Sequence, residues 1–118
     1  MDQVKISKEQ YAQILTDYVN RMAEERNNAL GNSLEYQAVI DLSGGHFQLL
    51  SMGWAGHKFL YQILMHFDLK PNGKIWVQQN NTEILVDRDL GELGIPKTDI
   101  VPGFKPKEMR ELGGFAAA

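Results

Sequence analysis

Residues 58–83, KFLYQILMHFDLKPNGKIWVQQNNTE, decide the fold. The stretch divides into two alternating halves around Lys70-Pro71-Asn72-Gly73-Lys74. Proline pre-sets φ at the second position of a type I turn, asparagine tolerates the third, and glycine takes the left-handed position that follows. A three-residue loop with a glycine bulge is a common hairpin connection. With Lys70 paired to Lys74, the reading sets Phe67 opposite Ile75, and Met65 or Leu69 near Val77. The other face collects Gln62, His66, Asp68, Trp76 and Gln78. A two- or four-residue loop would flip one strand and mix the two sets, which a half-buried sheet resists.

Upstream, His46 to Trp54 reads as a strand joined to this hairpin through a tight turn, Ala55-Gly56-His57. With Gly56-His57 as a two-residue loop, glycine comes first, as a type II′ turn requires. Regular pairing then puts Leu50, Met52 and Trp54 on the core face with Phe59, Tyr61 and Ile63. Phe47, Leu49, Leu60 and Leu64 fall on the opposite face, apolar at one end and polar at the other. Such a face wants cover from a later helix or another subunit, and a homodimer is expected. Leu34 to Leu42 alternates as a half-buried strand and ends in the turn Asp41-Leu42-Ser43-Gly44-Gly45. Successive hairpins imply a four-strand meander.

Ile6 to about Asn28 carries apolar residues at Tyr11, Ile14, Leu15, Tyr18, Val19 and Met22, the three-four spacing of a buried helical stripe. Ser7 is the expected N-cap, with Gln10 as its capping-box partner. Gly31-Asn32 starts the turn out of the helix. Beyond Thr82 the pattern becomes helical over Glu83–Leu93, with Val86, Leu90 and Leu93 as its stripe. Gly94 ends it and Pro96 prevents continuation. Lys97-Thr98-Asp99 can begin another helical turn, and Pro102-Gly103-Phe104-Lys105-Pro106 forbids regular structure. The expected fold class is α+β. A long N-terminal helix packs on an antiparallel meander sheet of about four strands, followed by a short helix and an irregular C-terminal tail. All of residues 1–118 form one domain.

The totals agree. A chain of 118 residues with 43% hydrophobic and 23% charged content builds an ordinary core without a staple. The absence of cysteine excludes disulfides and thiol chemistry. A net charge of −3 argues against strong sequence-independent DNA binding. The start, MDQVKISKEQ, is polar, and no signal peptide is expected there. The longest apolar run is four residues, Phe115 to Ala118, too short to span a membrane. A cytoplasmic protein with no membrane contact is expected.

Chemistry-bearing residues are sparse. His66 and Asp68 sit two apart on one strand and share a face, as a general base or two metal ligands would. No third ligand or nucleophile accompanies them in sequence, so a polar outer strand face is the expected reading. His46 and His57 stand at turn edges, where solvent-facing histidines are usual. Glu83, Asp87 and Asp89 suit a helix N-terminus as well as a metal. Lys97, Lys105, Lys107 and Arg110 give the tail local positive charge that could touch phosphate. Trp76 faces outward between polar neighbours and is expected either to meet a partner or to lie under the C-terminal segment, with Phe104 over it. No catalytic residue, cofactor or metal is assigned. Trp76, Gln78, Gln62, His66 and Asp68 are the candidate interface.

Residues 66–83, HFDLKPNGKIWVQQNNTE, resemble the signature of the XisI-like family, the fdxN element excision controlling factors of cyanobacteria. The resemblance continues through LGELGIPKTDIVPGF (90–104) and is visible in YAQILTDYV (11–19) and FQLLSMGW (47–54). It implies a non-catalytic controlling factor in excision of a DNA element. It also implies a partner, an XisH-like protein that is commonly encoded alongside. The readings left beside it are a metal-dependent hydrolase using His66, Asp68 and a nearby acid, and direct DNA binding through the tail.

Overall fold

The structure, a computed structural model, describes residues 8–29, 31 and 33–118. The first helix, α1 (Lys8–Asn27), buries Tyr11, Leu15, Tyr18, Val19, Met22 and Ala23, the stripe its spacing predicts. The Ser7 cap and the turn at Asn32 lie outside the described residues. Four strands follow: β1 (Glu35–Asp41), β2 (His46–Ala55), β3 (Lys58–Leu69) and β4 (Ile75–Asn80). They pair antiparallel in sequence order. Among the described residues no helix is long and apolar enough to cross a membrane.

A fifth strand was not expected. β5 (Ile100–Val101) pairs parallel to β4, Ile75 with Ile100 and Trp76 with Val101. A parallel neighbour needs a crossover, and α2 (Val86–Glu92) supplies it. Helix α2 is shorter than its sequence stripe. Val86 and Leu90 are buried, but Leu93 is exposed and Ile95 takes its place in the core. The reason is the helix end. Gly94, at φ +105°, turns the chain so that Ile95 N–H donates to the Leu90 carbonyl and Gly94 N–H to Gly91. This is a Schellman closure with its apolar contact between Leu90 and Ile95. Lys97–Asp99 forms the further helical turn, as a 3₁₀ turn.

The two hairpin loops match their turn chemistry. Ala55 pairs with Lys58 across Gly56-His57, and only Gly56 carries positive φ. Lys70 N–H donates to the Lys74 carbonyl at 2.9 Å. The consequence of that pairing is Leu69 opposite Ile75 and Phe67 opposite Val77, not Phe67 opposite Ile75.

The two faces of β3 do not follow regular pairing. From Ala55/Lys58 the ladder runs regularly to Leu50/Ile63, but the next pair is Leu49/Met65. Leu64 is an extra residue, a β-bulge that exchanges the two faces of β3. Below it, Phe47, Leu49, Met65 and Phe67 share the core face with α1, and Leu64 itself is buried there. Above it, Trp54, Phe59 and Tyr61 lie on the outer face and are 61%, 51% and 62% exposed, not core. A second extra residue, Gln78, interrupts the β3–β4 ladder between Val77 and Gln79. The core is therefore one layer between α1 and the inner sheet face, closed by Ile75, Val77, Leu90, Ile95 and Ile100.

Two tyrosines tie α1 to the later chain. Tyr18 donates to Asp89 Oδ2 at 2.8 Å, and Tyr11 donates to Asp99, which also pairs with Lys74 at 3.1 Å. Burial, then the hydrogen bond to a carboxylate, then its charge push both phenols well above the usual range. The sign follows directly. A raised folded pKa leaves stability intact below the unfolded value of about 10 and drains it as pH rises further. Unfolding at pH 9 and pH 11 should show a loss that Tyr18→Phe reduces. Equal losses in both proteins would contradict this role.

Candidate functional site

The base of β2 is set by Gly45. Its φ is +75°, and a Cβ there would meet the backbone carbonyl of Leu69. This close approach lets Leu69 N–H donate to the Gly45 carbonyl at 2.8 Å, which brings the start of β2 against the end of β3. Gly45→Ala should cost about 1–3 kcal/mol, read as a fall in the midpoint of urea unfolding. The exposed Gly56, with open space around it, should cost less on the same substitution.

With β2 seated this way, His46 stands opposite Asp68 and Gln48 opposite His66. His46 Nδ1 lies 2.6 Å and His66 Nε2 2.8 Å from the same oxygen, Asp68 Oδ1. Gln78 donates its amide to Asp68 Oδ2 at 2.9 Å. Lys70 Nζ is 3.9 Å from that second oxygen. The Gln48 amide nitrogen is 3.4 Å from His66 Nδ1. Asp68 is 8% exposed, so burial opposes its ionisation. The hydrogen bonds from Gln78 and His46 and the charge of His66 outweigh burial and hold the carboxyl below its ordinary value.

His66, Asp68 and Gln78 thus form one cluster, with Trp76 beside Asp68 in the ladder. Gln62 does not join them. It pairs with Ser51 beyond the bulge, on the α1 side of the sheet. Trp76 lies under the chain's own tail. Gly103 packs against its ring, and Arg110 lies over the ring at 4.8 Å. Phe104 is exposed and does not supply that cover. His57 sits exposed at the hairpin turn, as expected, but His46 joins the cluster. A regular ladder carried down from Ala55/Lys58 would set His46 opposite Phe67; the extra Leu64 moves it to Asp68.

The other acids and bases are dispersed. Asp87 and Asp89 lie in the first turn of α2, and Asp89 is held by Tyr18. Lys97 donates to the Gly113 carbonyl and lies over Phe115, and Arg110 Nε donates to the Lys105 carbonyl. Two of the four basic tail residues therefore serve the tail's own packing. A groove of about 790 Å³ runs between α1 and α2 past Arg21, Glu25, Glu83 and Glu92, away from the histidine cluster. Its charges alternate in sign and bring no histidine or nucleophile together.

The second feature of the outer face is apolar. β1 reaches β2 only up to Met52, and β4 meets β3 only from Met65. The hairpin beyond is a two-stranded ribbon, and the molecule extends 56 × 29 × 25 Å. Trp54 and Phe59 pack edge to face on this ribbon with centroids 5.3 Å apart, and Tyr61 extends the aromatic surface. Val39, opposite Gln48 lower on the same sheet, is 40% exposed.

Known proteins match this architecture. An XisI-like protein from Anabaena variabilis superposes with a TM-score of 0.84 at 28% identity, covering 95% of this chain and 100% of its own. The fdxN element excision controlling factor XisI from Anabaena variabilis superposes with a TM-score of 0.77 at 27% identity, covering 94% and 98%. No curated protein matches significantly. The family model described as "XisI protein" matches residues 1–117. With sequence and fold in agreement over nearly its whole length, the chain belongs to the XisI family.

Proposed function

We propose that the chain is a non-catalytic controlling factor that acts through protein contacts in excision of a DNA element, with an XisH-like protein as its partner. The observation that carries this reading is the exposed aromatic ribbon of Trp54, Phe59 and Tyr61. Aromatic side chains anchor interfaces, and an exposed two-stranded ribbon is marginal alone. The excision role rests on the XisI family and on the name of one structural neighbour, an fdxN element excision controlling factor. The partner rests on the family resemblance. A second copy of the chain covers the same outer face when that partner is absent, giving a homodimer in the cytoplasm.

Co-expression with the XisH-like product of the adjacent gene tests the reading. Co-purification at micromolar concentration is the expected result, and no association at that concentration removes the partner. Sedimentation of the chain alone should give twice 13.4 kDa. A monomer at high concentration removes the homodimer.

A further inference from the structure

The geometry points to a divalent transition-metal site formed by His46, His66 and Asp68. One ligand atom from each of the three lies within 4.8 Å of the other two. The residues come from neighbouring strands in fixed register, so the set is built by the ladder rather than by a loop. Both imidazole nitrogens converge on Asp68 Oδ1. Two imidazoles and one carboxylate suit zinc, cobalt or nickel, and leave a further position for water. They are a poor set for calcium or magnesium, which take oxygen ligands.

The surroundings match what metal sites require around their ligands. Metal-bound histidines usually give their other ring N–H to an acceptor, and bound carboxylates are themselves hydrogen-bonded. Gln48 stands beside the second nitrogen of His66, and turning its amide presents an oxygen to that N–H. Gln78 holds the second oxygen of Asp68. His46 is about half exposed, which gives an ion a way in from solvent.

Binding asks little movement. Zinc bonds of about 2.0–2.1 Å in tetrahedral geometry separate ligand atoms by about 3.4 Å. The present contacts of 2.6 and 2.8 Å open to that spacing, while the two imidazole nitrogens, within 4.8 Å of each other, draw together to it. The ion takes the place of two hydrogen bonds, and the His46 and His66 protons move to their outer ring nitrogens. Lys70 is the cation close to the carboxylate and sits on the other oxygen, Oδ2. The metal then clasps β2 to β3 just below the Leu64 bulge, at the foot of the aromatic ribbon.

The test is titration of the full, untagged, chelator-treated chain with zinc chloride, followed by calorimetry, and with cobalt chloride, followed by visible absorption. One equivalent binds, cobalt gives the absorption bands of a nitrogen–oxygen site, and zinc raises the melting temperature by mass action. His46→Ala, at a half-exposed position, keeps the fold by circular dichroism and weakens binding more than about 100-fold. Gln48→Ala, which touches a ligand and not the ion, weakens it about 10-fold to 100-fold. His57→Ala, at the exposed turn, leaves it unchanged. The site is overturned if the wild-type chain shows no saturable binding below millimolar metal, or if His46→Ala and His57→Ala titrate alike.

Discussion

Phe67→Ala should lower stability by about 3–5 kcal/mol. Phe67 is fully buried, faces Val77 and Phe47 across its two neighbouring strands, and meets the Tyr18 ring of α1 at 6.2 Å. Its removal opens a cavity where helix and sheet meet, a site that cannot collapse without moving both. A domain of this size has about 5–15 kcal/mol in all, so the variant loses about a fifth or more of its stability. Tyr61→Ala, six residues earlier on the same strand and of the same parity, should change the stability of the monomer, measured at concentrations that dissociate a dimer, by less than about 1 kcal/mol, because that ring is 62% exposed in the single chain. The contrast measures the bulge at Leu64 directly. In an unbroken strand the two positions share a face, and both substitutions would be costly. Urea unfolding of the two variants decides it, and comparable losses would contradict the face exchange.

The second large effect is expected at Asp68. Asp68→Ala should cost about 3–4 kcal/mol. The carboxylate is nearly buried and faces two histidine nitrogens, the Gln78 amide and Lys70. Removing it leaves donors without an acceptor at the junction of β2, β3 and β4. Asp68→Asn keeps the shape and one acceptor oxygen, and should lose about half as much. Thermal unfolding of both variants checks this. An Asp68→Ala protein as stable as wild type would show that the cluster is a surface arrangement of no energetic consequence.

The local rules that made the fold legible also hid its site. Pro71, Asn72, Gly73, Gly56 and the stripe of α1 act over a few residues, and each formed as its chemistry dictates. The bulge is different. Nothing about Leu64 marks it, since Ile63, Leu64 and Met65 are all apolar and either face can take them. Its position is set by tertiary demands, namely the fixed turn at Gly56-His57, the Gly45–Leu69 approach and the need to bury Phe47 with Phe67. Without that one residue, Phe59 and Tyr61 read as core and His46 reads as solvated. The signal that could have found the cluster was the pair of anchors at the ends of β2. Counting from Gly45 instead of from Gly56 brings His46 to Asp68. β5 was missed for a related reason, because a two-residue parallel pairing leaves no periodicity to read.

The outer face therefore holds two separate features, a polar His–Asp–His cluster under the tail's end of the sheet and an aromatic ribbon beyond the bulge. The ribbon is the proposed partner contact. The measurement that bears on this most directly is the affinity of the chain for the XisH-like product before and after the double substitution Trp54→Ser, Tyr61→Ser. Both positions are largely exposed, so the melting temperature should hold while affinity falls at least about tenfold, the loss of a single interface anchor. A double variant that keeps its fold and binds as tightly as wild type would contradict that assignment.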